Sequence, residues 1–126
     1  MTKDLLLCGF FMAAVALTSC SKEYQCKTRV DNPCPWCGVD NPVKENPWLK
    51  RTIEEACEMR MFLRVYVCTM NDGRQAFFLI DPGIADGYEW LHNCQGERIG
   101  YRGGIDGRVE GDWSVNWGTL RLIYEI

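Results

Sequence analysis

Cys34-Pro35-Trp36-Cys37 is the segment whose residue types and spacing most plainly carry chemistry. Two thiols held two residues apart can cycle between dithiol and disulfide. That requires a lowered pKa at the first thiol, commonly supplied by a helix N-terminus. Here the nearest helical pattern starts at Pro47, and no strand–helix–strand unit surrounds the pair. A local structural bridge, or pairing of these thiols with others, is the expectation. Cysteine clusters can also hold zinc, but the one histidine, His92, is far away in sequence. No metal site and no cofactor are expected. As a general base His92 would need a nucleophile and an orienting carboxylate, and Glu89 and Glu97 do not complete such a set. A half-exposed strand histidine is the simpler reading. Asp81, Asp86, Asp106, Glu110 and Asp112 are loop carboxylates without the D-x-[DN]-x-[DN]-G spacing of a calcium loop. Gly103-Gly104 offers backbone freedom but no phosphate cradle. No catalytic residue is expected.

Leu17-Thr18-Ser19-Cys20 carries a different chemistry. It closes an apolar run from Leu5 to Leu17, preceded by Lys3 and Asp4. Length and flanks fit a secretory leader and fall short of the roughly 20 residues of a membrane span. The stretch resembles the lipobox of bacterial lipoproteins. That resemblance implies a diacylglycerol on the Cys20 thiol and cleavage just before it. Each buried lipid methylene contributes about 0.8 kcal/mol, and stable anchoring takes more than one chain. Ser21 rather than aspartate follows Cys20, which favours the outer membrane. The Cys34–Cys37 spacing resembles the active-site motif of thioredoxin-fold oxidoreductases, so a periplasmic thiol–disulfide enzyme is one alternative function. A secreted-protease inhibitor presenting a stapled loop is another.

These residues divide the chain into a leader (1–19), a lipid-proximal Pro/Cys-rich tether (20–46) and one domain (47–126). Cleavage before Cys20 leaves 107 residues (126 less 19) and removes one charge of each sign, so the net charge stays at −3. A mildly acidic chain without basic runs argues against nucleic acid. Eight cysteines are present. Cys8 leaves with the leader and Cys20 takes lipid. Cys26, Cys34, Cys37, Cys57, Cys68 and Cys94 remain. An even number in an exported chain suggests disulfides, with 15 possible connectivities.

The positioning elements read as α+β: one N-terminal helix packed on an antiparallel meander of about five to six strands. Asn46 caps the helix and Pro47 takes its first position. Leu49, Ile53, Ala56, Cys57 and Met61 form a stripe opposite Lys50, Arg51, Glu54, Glu55 and Glu58, and the helix ends near Arg60. Residues 62–70 form the first strand, and Asp72-Gly73 predicts a two-residue hairpin turn with Asn71 facing Arg74. Val67 then faces Phe78 and Val65 faces Ile80, putting Phe78 and Ile80 under the helix. Tyr66, Phe77 and Leu79 are left on the mixed face. Tyr88–Asn93, 97–101 and 119–126 are further strands. Cys68 and Cys94 lie on strands one and three, about 9–10 Å apart, too far for a bridge. The tether cysteines are the better partners.

Three features follow one another along the chain: the helix start Asn46-Pro47-Trp48-Leu49, Asp81-Pro82-Gly83 after a strand, and a Cys94-Gln95-Gly96 turn before Gly103-Gly104. With the lipobox and tether, their order resembles small lipoproteins of unknown function from Bacteroidota. The resemblance implies an address and supplies no catalytic residue. The expected function is a non-enzymatic binding or interaction module of the cell envelope, membrane-held through Cys20, with an unknown protein or small ligand as partner. Tyr66, Phe77, Trp113 and Trp117 are its candidate surface, chosen for aromatic density.

Overall fold

The computed structural model describes residues 26–82 and 87–126. The leader, Cys8, Cys20 and Asp86 lie outside the described residues. Strand β1 is Val30–Asp31. Helix α1, Pro42–Glu45, is one turn inside the expected tether. Helix α2, Pro47–Glu58, follows at once. The remaining strands are β2 Arg64–Met70, β3 Gln75–Asp81, β4 Tyr88–Asn93, β5 Arg98–Gly103, β6 Arg108–Gly111 and β7 Val115–Glu125. They form one antiparallel seven-stranded sheet, ordered β1-β7-β2-β3-β4-β5-β6. β2 to β6 run as a meander, and β7 returns to the outer edge of β2.

Pro47 opens α2 because its missing N–H falls where a helix has no partner to offer. Asn46 holds the cap position, but its side chain makes no capping bond. Instead Nδ2 donates to the Cys94 carbonyl at 3.4 Å. Leu49, Ile53 and Ala56 are buried against Val65, Val67, Phe77, Leu79 and Ile123 of the sheet.

The β2–β3 register differs from the two-residue expectation. Met70 N–H donates to Arg74 O, so the loop has three residues, Asn71 to Gly73, with Gly73 at φ +93°. A glycine bulge of this kind shifts pairing by one. Val67 faces Phe77 and Val65 faces Leu79. A one-residue slip exchanges the two faces of a strand. Phe77 and Leu79 therefore pack under α2, and Phe78 and Ile80 belong to the opposite face.

That opposite face is closed by rolling. β6 and β7 are five strand spacings apart, about 24 Å in a flat sheet. The link from Gly111 to Val115 has four Cα steps and reaches at most about 15 Å. The sheet must curl to join them. Asp112 N–H donates to Ile99 O and Asn71 N–H to Ser114 O, each at 2.8 Å, so the link bridges β5 to the β2–β3 loop. Inside the roll sit Cys68, Met70, Ala76, Phe78, Leu91 and Val115, with Tyr66, Ile80, Ile99, Trp113 and Leu120 packed around them. β7 begins at Val115, earlier than expected, because its Asn116–Thr119 stretch is a bulge within the strand.

Candidate functional site

The cysteines pair across the fold. Cys26 bonds to Cys57 of α2, and Cys37 bonds to Cys94 after β4. Cys34 and Cys68 are buried free thiols. Cys34 and Cys37 are thus not a bonded pair. Trp36 and Val39 form a two-way backbone bridge, with Cys37 at φ +55° and Gly38 at φ +83° between them. Two central residues at positive φ make a tight primed turn. Cys37 lies in that turn, not at a helix N-terminus. Trp36 Nε1 donates to Ala76 O and fixes the turn at the start of β3, an interior strand of the sheet. Cys68 and Cys94 remain unpaired with each other, and both bridges recruit a tether cysteine. Burial pushes the Cys68 thiol up to about 11. Among the described residues no group of three or more His, Cys, Asp or Glu side chains could hold a metal.

Trp48 joins these parts. Its Nε1 donates to Cys94 O at 3.0 Å, and its ring stacks on His92 and meets Phe77 edge-on. A Cβ at Gly96 would stand 2.5 Å from that ring, so only glycine fits there. His92 contacts Gly96 O through Nδ1 at 3.1 Å. Burial holds its pKa below the ordinary value; the Gly96 carbonyl opposes this and Arg98 adds to it. The imidazole is therefore neutral near pH 7 and serves as packing for Trp48.

Two aromatic surfaces emerge. The first lies in the roll and includes three of the four expected surface residues. Gly100 leaves room for Trp113 to lie flat, since a Cβ there would be 3.0 Å from the indole. Trp113 stacks on Trp117, both approach Phe78 edge-on, and Tyr66 tilts against Phe78. The Arg102 guanidinium, paired with Glu89, lies 4.2 Å from the Trp113 centroid and 5.1 Å from that of Trp117. The cluster already holds its own cation. Phe77, the fourth expected residue, is fully buried under α2 and is not a surface residue. The register shift is the cause.

The second surface is on the α2 side, beyond the helix edge. Alternation along β4 puts Tyr88, Trp90 and His92 on this side, and Trp90 pairs with Tyr101 of β5. Tyr88 stacks with Trp90 and Tyr101 at centroid distances of 6.0 and 6.2 Å. Arg98 covers one side of Tyr101 at 5.3 Å. An open basin of about 370 Å³ adjoins them, lined by Tyr88, Tyr101, Gly103, Gly104, Asp106 and Arg108 among others. A groove of about 310 Å³ runs between α2 and β4, from Met59 and Met61 to Trp90, His92 and Arg98. Aromatic density alone did not single out this strip. The period-two spacing of Tyr88, Trp90 and His92 is the sequence signal that points to it. No family model, no curated protein and no solved structure matches the chain.

Proposed function

We propose that the protein is a non-catalytic binding module of the cell envelope, anchored to the outer membrane by lipid on Cys20, with Tyr88, Trp90 and Tyr101 as its ligand face. The observation that carries this reading is the adjacency of three half-buried rings on two paired strands, beside an open basin with Asp106 and Arg108 on its rim. Rings fixed on strands present apolar area at little entropic cost, and charged rims supply orientation. The ligand this favours has one flat apolar face and polar edges. Two disulfides support an oxidising compartment. With Cys37 bonded to Cys94, the thiol–disulfide reading has less support than binding.

The test is a titration of the purified protein with soluble envelope oligosaccharides and peptides, followed by tryptophan emission and by amide NMR shifts. The expected result is one ligand class whose shifts centre on β4 and β5. Trp90→Ala should weaken its binding at least about tenfold, the equivalent of 1.4 kcal/mol. Shifts centred elsewhere, with Trp90→Ala binding as tightly as wild type, would refute this ligand face.

A further inference from the structure

We propose that the turn following α2 is the face laid against the anchoring membrane, with Met59 and Phe62 entering its phospholipid headgroup layer. This rests on the anchor at Cys20 and adds an orientation to it.

The first argument is the leash. The Cys26–Cys57 bridge ties the chain to the last turn of α2. From Cys20 to Cys26 there are six Cα steps, about 20 Å at full extension. A domain of about 100 residues has a radius of gyration near 13 Å, hence a diameter of roughly 34 Å. The leash is shorter than the body it holds. Even with the 5.5 Å between the Cα atoms of Cys26 and Cys57, the Cys57 end therefore cannot reach the pole of the body farthest from the lipid.

The second argument is what that end displays. Met59 is 69% exposed and Phe62 is 47% exposed, three residues apart and just beyond Cys57. Arg29 lies 5.4 Å from the Phe62 centroid. Lys27 is exposed nearby in sequence, and the end of α2 also carries the exposed carboxylates of Glu54, Glu55 and Glu58, with Glu55 lining the same groove as Met59. Arg29 beside the exposed Phe62 ring, with Met59 next to it, suits a phospholipid headgroup layer, where stems and rings sit among the headgroups and the guanidinium meets phosphate. The groove that starts at Met59 and ends at Trp90 then opens beside the lipid. A ligand on the aromatic strip would be held close to the membrane.

The experiment uses the full processed protein, labelled with [13C-methyl]methionine. It is placed in nanodiscs of phosphatidylethanolamine and phosphatidylglycerol carrying a headgroup spin label. Beyond the leader the methionines are Met59, Met61 and Met70. Met70 is buried in the roll and serves as the internal control. The expected result is loss of the Met59 methyl signal with the Met70 signal retained. Equal broadening of Met59 and Met70 in a protein whose intact mass shows acylation would overturn the orientation and leave the anchor standing. An intact mass without acyl chains would overturn both.

Discussion

Trp117 shows 42% of its surface to solvent, yet Trp113 stacks on its ring and the Arg102 guanidinium lies over it. Exposure here measures the rim of a packed cluster. Within the strip the Arg98 guanidinium lies over Tyr101, and the groove reaches Trp90. Residue context therefore ranks these tryptophans differently from their exposure. Cys68 is a second case. It is fully buried, and desolvation raises its pKa from 9.0 to about 11. The folded protein holds this proton where the unfolded chain releases it. The stabilisation is complete below pH 9 and is lost as pH rises from 9 towards 11. Two pKa units correspond to on the order of 2–3 kcal/mol. Denaturant midpoints at pH 8 and pH 10.5 should show this loss, and Cys68→Ala should flatten the alkaline slope whatever its stability at pH 8. An unchanged slope would mean that another group titrates there.

At the scale of elements, the β5–β6 hairpin depends on two glycines of different kinds. Gly111 has φ +88°, and a Cβ there would stand 2.2 Å from Ile99 O. Gly107 has φ +63° and open space around it. A left-handed backbone costs an L-residue about 1–2 kcal/mol, and the backbone clash at Gly111 adds to that. Gly107→Ala should therefore lower stability by about 1 kcal/mol, and Gly111→Ala by clearly more, with amide exchange quickened along β5 and β6. Equal losses in urea unfolding would contradict this account of Gly111. The helix, Tyr88–Asn93 and the alternation within β4 were legible from periodicity and from Pro47. The β2–β3 register was not. β3 reads Ala76-Phe77-Phe78-Leu79-Ile80, apolar on both faces, so either register produces apolar pairs. The turn geometry decides it, and Asp72-Gly73 fits two loop lengths. An all-apolar strand did carry one usable signal: both of its faces would be covered. What covers the second face, the sheet's own roll, arises from the short β6–β7 link and not from any local pattern. The tether was legible as stapled, but its partners were set by that same long-range geometry.

For the whole molecule, residues 26–46 of the tether are part of the fold. β1 pairs with β7, Trp36 bonds to β3, and two disulfides tie the segment to α2 and to the end of β4. A single domain of about 100 residues buries a modest core, and typical stabilities are about 5–15 kcal/mol. The bridges span 31 and 57 residues. In the chain-entropy account, loops of these lengths each remove about 4 kcal/mol of unfolded-state freedom. Together they are comparable with the stability of the domain. Reduction at neutral pH should therefore lower the unfolding midpoint sharply or abolish the cooperative transition. The longer loop should matter slightly more: Cys37→Ala with Cys94→Ala should cost about 0.5 kcal/mol beyond Cys26→Ala with Cys57→Ala, from the logarithm of loop length. The second pair of substitutions has an effect the first lacks. It releases the leash at α2 and moves the first fixed point towards Arg29, which donates its N–H to Glu125 O. Membrane contact at Met59 should then weaken while ligand binding at Trp90 persists. Peptide mapping without reductant checks the premise: it should recover Cys26–Cys57 and Cys37–Cys94 linkages with Cys34 and Cys68 free, and a Cys34–Cys37 linkage would remove the basis for both the stability order and the leash.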